Sequence, residues 1–184
     1  MSRRRPYIPQ RRRIFLGCEG RSEHGYATLL ARMAREHGGI HVHIHVEQLQ
    51  PGAGDPVALV ARAEQMIAQS ERVRERFEIK AILLDRADAR INAAAEARGV
   101  QIGIQHMIWQ APDHEALLLH HLPGCQNLQP PAGASMAALR RHWADYEKGR
   151  TAQQLGERIA IEQIRQACAV EERLRTFLTA VGLI

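Results

Sequence analysis

The chain has 184 residues, 45% of them apolar and 24% charged, an ordinary globular composition with length enough for one domain with a real core. It holds no apolar run near the roughly 20 residues that span a bilayer, and its basic start, Met1 to Arg13, lacks the apolar stretch of a secretory signal; a cytoplasmic location is the expectation. The net charge of +5 and a pI of about 9.6 favour polyanionic partners.

Residues 1–12 read as a basic arm. Arg3, Arg4, Arg5, Arg11, Arg12 and Arg13 gather around Pro6 and Pro9, a pattern that suits either a phosphate backbone or open solvent. Residues 13–125 read as the core domain. Its first strand is Ile14 to Cys18, stopping at Glu19-Gly20. Ser22 looks like a helix N-cap, and Tyr26, Leu29, Leu30 and Met33 recur at helical spacing as far as Gly38-Gly39. Ile40 to Leu49 is a second strand. Asp55-Pro56 opens a helix to about Arg76, and Ile79 to Leu84 is a third strand ending at Asp85. Ala89 to Arg98 follows as a helix stopped by Gly99, then Val100 to Trp109 as a fourth strand and Asp113 to His121 as a helix.

Strand and helix thus alternate four times, which predicts an α/β fold with a mostly parallel four-stranded sheet flanked by helices. Residues 126–184 read as a loop and a C-terminal helical extension. The Pro/Gly-rich stretch Leu122 to Ser135 leads to helices at Met136–Glu147 and Thr151 to about Val181. Thr151 and Gln154 form a capping-box pattern on the second. Its stripe of Leu155, Ile159, Ile164, Cys168, Leu174, Phe177 and Leu178 would pack on the sheet or form a homodimer.

Several side chains carry potential chemistry. Glu19 follows the first strand, and Asp85 and Asp88 follow the third. In a parallel sheet these strands can be neighbours at the rim where ligands bind. Three carboxylates converging there would repel one another unless a cation neutralised them, and hard oxygen ligands suit Mg2+ or Mn2+. Asp88 could equally cap the helix beginning near Ala89. The strand His41, His43, His45 puts three histidines on one face. At about 7 Å between alternate side chains, all three cannot share one ion without bending, so polar decoration of an edge strand is the preferred reading. Cys18, Cys125 and Cys168 form no CxxC pair, and Cys18 is expected as a small buried strand residue.

The segment Arg13-Ile14-Phe15-Leu16-Gly17-Cys18-Glu19-Gly20-Arg21-Ser22-Glu23 through Tyr26 resembles the opening motif of RloB-like proteins: a strand, Cys-Glu-Gly, Ser/Thr-Glu, then Tyr. Pro112, Glu115, Leu118, Leu119 and His120 resemble a later segment of that family, and Tyr146-Glu147-Lys148 its Tyr-x-Lys element. RloB-like proteins are similar in core to Toprim domains, which place a glutamate after the first strand and Asp-x-Asp after the third. The resemblance implies a Toprim-like, Rossmann-like fold and a Mg2+- or Mn2+-dependent nuclease acting on DNA or RNA. It also implies a phage-defence effector working beside a separately encoded ATPase. It assigns Glu19 to metal binding or acid/base chemistry and Asp85 to the first aspartate of the pair. Glu115 becomes a further acid near the site or a helix residue, and Lys148 a phosphate contact. The chain departs from the pattern at Asp85-Arg86-Ala87-Asp88, where Ala87 occupies the second aspartate's place and Asp88 falls one residue late. That departure keeps a rival open: a non-catalytic nucleic-acid-binding or regulatory subunit. The chain has no GxxxxGK[ST] loop, so any ATP-driven step belongs to a partner.

Overall fold

Strand β1 (Arg12–Cys18) is apolar on both faces, so it can be satisfied only at the centre of a sheet covered on both sides. It pairs in parallel with β2 (Val42–Gln48) on one side and β3 (Ile79–Asp85) on the other, and β4 (His106–Gln110) adds in parallel outside β3. The strand order is β2-β1-β3-β4. A computed structural model gives this arrangement for residues 11–37, 41–49 and 54–184. Arg3, Arg4 and Arg5 of the expected arm, and the Gly38-Gly39 stop and Ile40 of the expected helix and strand ends, lie outside the described residues.

Period-two alternation sorts the strand side chains into two cores. Ile14, Leu16, Ala81, Leu83 and Ile108 face α1 (Arg21–Glu36) and the C-terminal helices. Phe15, Ile82, Leu84 and Met107 face α2 (Pro56–Val73) and α3 (Ala89–Gln101). The α/β class, the four parallel strands and the flanking helices are therefore as the sequence pattern predicts. Cys18 is fully buried in the first core. Among the described residues no helix is long and apolar enough to cross a membrane.

Four sequence expectations are corrected in detail. Arg12 and Arg13 are not part of an arm but begin β1. Arg12 pairs with Glu78 at 2.7 Å, and Arg13 donates to Ser70 Oγ at 2.9 Å while its guanidinium lies 4.2 Å from the Phe77 ring centroid. Gly99 does not stop α3. It sits inside the helix against Met107, where a Cβ would meet the sulfur at 3.3 Å, and the chain turns at Gly103 with φ +76°. The fourth strand is accordingly only His106–Gln110. The helix expected over Met136–Glu147 is α5 (Ser135–His142), after which Trp143 and Tyr146 turn inward and are buried.

The long C-terminal helix is three helices: α6 (Ala152–Gly156), α7 (Ile161–Ala167) and α8 (Glu172–Val181). Its apolar stripe is buried within the chain's own core rather than presented to a second copy. The steps Ile159 to Ile164 and Cys168 to Leu174 are too long for continuous helical periodicity, and they coincide with the two breaks. The Thr151–Gln154 capping box is present at the start of α6.

Between β4 and α5, α4 (His114–His120) is buried along its whole length. Its last residue ties three segments together. His120 Nδ1 lies 2.6 Å from Glu171 Oε1 and Nε2 lies 2.9 Å from the Leu128 carbonyl. Both partners only accept, so the fully bonded ring is the doubly protonated one. Burial alone would lower its pKa; the bonds to Glu171 and Leu128 outweigh it and raise the group above the ordinary histidine value. A raised folded-state pKa gives stability that is complete below the unfolded value and disappears as pH rises through the folded one. The stability difference between wild type and Glu171→Gln, read by urea denaturation, should therefore be on the order of 1–2 kcal/mol at pH 5.5. It should shrink towards zero by pH 9; a difference constant with pH would show that His120 is neutral in the fold.

Candidate active site

The chain leaves β1 for β2 on one side and reaches β3 on the other, so the crevice between the C-terminal ends of β1 and β3 is the topological switch point of the sheet. Glu19 is the residue after β1 and Asp85 the last of β3. The Asp85 amide donates to Glu19 Oε2 at 3.3 Å, which fixes the two neighbours side by side. Together with Gly20, Arg21, Ser22, Glu23, Lys148 and Gly149 they line an open cleft of about 460 Å³.

The motif around Glu19 builds the walls of this cleft. Glu23 is the third residue of α1, and its carboxylate accepts the Gly20 amide at 3.0 Å, closing the N-terminus of the helix. Any side chain at position 20 would strike that carboxylate, since a Cβ there stands 2.8 Å from Glu23 Oε2. The expected N-cap, Ser22, instead lies within the first turn, and the helix begins at Arg21 after Gly20. The Ser22 hydroxyl accepts the Gly149 amide at 3.0 Å. One turn on, the bare Gly25 lets the Arg150 carbonyl rest directly on α1. These two contacts clamp the Lys148–Arg150 loop over the cleft. Tyr26, fully buried, donates to His121 Nε2 at 2.9 Å, because His121 Nδ1 is committed to the Leu117 carbonyl at 2.8 Å. Burial holds His121 neutral, with a pKa down to about 4.

The electrostatics of the cleft are strongly unbalanced. Burial pushes the Asp85 carboxyl up to about 8, helped by the charges of Glu23, Glu19, Asp113 and Glu115. Burial likewise raises Glu19, Glu23 and Glu115. The one ammonium among them is Lys148 Nζ, 3.4 Å from the buried Glu115 Oε1 but itself largely solvent-exposed. Among the described residues, Asp85 Oδ1, Gln110 Oε1 and His114 Nε2 of this neighbourhood are buried without a hydrogen-bond partner. Gln110 is the register partner of Asp85 across β3 and β4, and its side-chain amide meets His114 Nδ1 at 2.6 Å. His114 is kept neutral by burial, its pKa lowered to about 3.

The sequence-based site residues therefore divide. Glu19, Asp85, Glu115 and Lys148 are brought together. Asp88 is not: it caps α3, its Oδ1 accepting from Arg90 N at 2.9 Å and Ile91 N at 3.0 Å, and it is exposed. Ala87 is held in the same loop by reciprocal bonds with the Asn92 side chain. Glu23 and Asp113, which sequence reasoning assigned to helix starts or left aside, join the acidic group. The Ser-Glu spacing after Cys-Glu-Gly was the available signal for Glu23; for Asp113 there was none beyond its place before α4.

A divalent ion fits part of this donor set. Two carboxylates, one of them with an orphaned, buried oxygen, suit Mg2+ or Mn2+, which keep several waters and need only one or two protein oxygens. Among the described residues, no three His, Cys, Asp or Glu side chains are arranged as a complete cage. The histidine strand does not form one either: the His43 and His45 rings are 6.4 Å apart, and His45 Nε2 pairs with Glu47 at 2.7 Å.

Compared with protein-family models, curated proteins and solved structures, the chain matches none of them.

Asp85 inverts the usual carboxylate contribution to stability. Its folded pKa lies above the unfolded value near 4, so the folded state binds the proton more tightly and loses relative stability as pH rises from about 4 to about 8. Asp85→Asn should consequently raise the melting temperature at pH 8 by an amount equivalent to at least about 1 kcal/mol, with little gain at pH 4. An equal or opposite effect at pH 8 would show that Asp85 is ionised at no cost in the metal-free protein.

Proposed function

We propose that the cleft is the site of a metal-dependent phosphodiesterase acting on DNA or RNA. The observation that carries this reading is the pairing of Glu19 and Asp85 at the switch point, with an unpartnered Asp85 oxygen and a carboxyl raised to about 8. Enzymes accept such electrostatic frustration where a ligand relieves it. The motif from Arg13 to Tyr26 supports the same reading through its resemblance to RloB-like and Toprim proteins.

On this reading Asp85 and Glu19 hold Mg2+ or Mn2+, and Glu23 and Glu115 add negative potential behind them. The ion would supply charge stabilisation at a phosphate oxygen and lower the pKa of a bound water. Lys148, carried by the loop clamped to Ser22 and Gly25, is placed at the mouth of the cleft to meet the phosphate as a point charge. Burial raises the Glu19 carboxyl above the ordinary glutamate value, which favours its acid form and suits it to acid/base work. The RloB-like resemblance adds an ATPase partner as a further expectation. A second reading, a non-catalytic nucleic-acid-binding or regulatory subunit, draws on the absence of an acid at Ala87 and on the diversion of Asp88 to a helix cap.

Calorimetry with MgCl2 and MnCl2 separates the two. The nuclease reading expects binding by wild type that weakens at least tenfold in both Glu19→Ala and Asp85→Ala. Because Asp85 must release its proton, affinity should also rise up to about tenfold per pH unit between pH 6 and 8 and level off above it. Metal-dependent cleavage of labelled DNA or RNA, lost in the same variants, completes the assignment. Folded wild type that binds neither ion, with or without an oligonucleotide present, would leave only the non-catalytic reading.

A further inference from the structure

A second feature lies along α1, on the side of the sheet edge. His24, Thr28, Ala31 and Arg35 are spaced by four, three and four residues and so form one stripe down the helix. The stripe starts at the residue after Glu23, beside the cleft, and runs about 16 Å to Arg35 at 1.5 Å per residue. It faces β2, the edge strand of the sheet. Between them is a groove of about 270 Å³ bordered by the polar residues His24, Thr28, Arg35 and Arg11; His43 and His45 also border it from β2, but their rings lie on the opposite face of the sheet, in register with Arg13 and Phe15. Val42, Ile44 and Val46 form its floor.

The charge in this groove is one-sided. Arg11 and Arg35 are exposed, and among the described residues neither makes an ion pair. Glu47 lies at the strand's C-terminal end and is engaged by His45. The neighbouring arginines of the chain are otherwise occupied: Arg12 and Arg13 are spent within the fold, and Arg32 faces Glu36 at 3.9 Å. Among the described residues no aromatic ring of Phe, Tyr or Trp lines the groove, so these offer no platform for stacked bases. What remains is a pair of guanidinium groups flanked by the His24 imidazole and the Thr28 hydroxyl, a set that matches phosphate oxygens and ignores base identity.

We propose that this groove is a backbone track that holds one sugar–phosphate strand of the nucleic acid and leads it along α1 to the acidic cleft. The proposal deepens the phosphodiesterase reading and rests on it for the direction of the track. Binding in the groove itself requires no metal. A polyanion has reason to use it, because the carboxylates of Glu19 and Glu23 in the cleft, with Asp113 and Glu115 near Asp85, repel phosphate and the attraction must come from elsewhere on the surface.

The test is fluorescence anisotropy of a labelled 20-nucleotide single-stranded DNA at pH 7.5 in EDTA, over a range of KCl concentrations, with wild type, Arg11→Glu/Arg35→Glu and the control Arg165→Glu/Arg175→Glu. The control makes the same net-charge change at exposed arginines of α7 and α8. The expected result is roughly tenfold or greater weakening for the groove variant at 100 mM KCl. The slope of log K against log salt should become shallower by about 1.4, two phosphate contacts at 0.7 each. The control should keep the wild-type slope. A matched duplex arm with the same loss at about 0.9 per contact supports the same track used by a duplex backbone. Equal losses in both variants would show that binding follows net charge alone, and an unchanged groove variant, with folding verified by circular dichroism, would show that the strand lies elsewhere; either overturns the proposal. Because the measurement is made without metal, its failure leaves the calorimetric test of Glu19 and Asp85 intact, and the reverse also holds.

Discussion

The parallel pairing of β1 with β3 is the constraint on which the rest depends. Cys18 is in register with Leu83, so Glu19, one residue beyond, and Asp85, two residues beyond, must emerge together from the same rim. Both strands are buried on two faces, and neither can slip without turning its apolar set inside out. The carboxylates are thus held together by some of the best-packed backbone in the molecule. Neither burial nor the charges of Glu23 and Glu19 can be relaxed by local movement of the strands, and both are expressed instead as the raised carboxyl of Asp85. A site whose electrostatic cost is fixed by the hydrophobic core is preorganised in the sense that matters for binding a cation.

The second constraint is steric. Gly25 has no tolerance for a side chain, because the Arg150 carbonyl occupies the space where Cβ would be. This contact, with the Ser22–Gly149 bond, joins a segment more than a hundred residues downstream to the first turns of α1. Most of the opening motif is thereby accounted for as architecture: Cys18 packs, Gly20 admits the Glu23 cap, Ser22 and Gly25 hold the loop, and Tyr26 anchors α4 through His121. Glu19 has no comparable duty within the motif: it accepts a 3.3 Å bond from the Asp85 amide and a further backbone bond from Gly54. A carboxylate that the fold needs so little, in a position the fold defines so tightly, is the residue most plainly available for chemistry.

Much of the fold was legible because strands buried on both faces and Asp or Pro at helix starts leave local signals. Ile14–Cys18, Asp55-Pro56 and Asp88 before Ala89 are read from a few residues each, and Asp55 and Asp88 both cap as their type requires. What was not legible depends on distant contact. Gly99 looks like a stop, and only the nearness of Met107 shows that it is a packing glycine inside the helix. The C-terminal stripe looks like one helix until the steps of five and six residues are matched to breaks that place α6 beside α1, α7 beside α4 and α8 beside β4. In the site, Glu19 and Asp85 were readable from their places after strands. Asp113 and the histidine–glutamine pair behind Asp85 come from another strand end, and one sequence gives no means of bringing them there.

The distribution of charge sets an order of events for the proposed function. A phosphate approaching Asp85 in the metal-free protein meets the potential of Glu19, Glu23, Asp113 and Glu115, against which Lys148 is one exposed cation. At an effective dielectric near 20, a charge pair 4 Å apart is worth about 4 kcal/mol, so four carboxylates outweigh the two exposed cations of the cleft, Lys148 and Arg21, and the cleft by itself repels a phosphate. A divalent cation reverses the sign locally, and the arginines of the α1 groove supply attraction at a distance where the cleft's field is screened. Neither device suffices alone: the groove can retain a strand without presenting a phosphate to the acids, and the ion can neutralise the cleft without gathering a polyanion from solution. Their adjacency, with His24 of the groove following Glu23 of the cleft in sequence, makes a single helix the link between capture and chemistry.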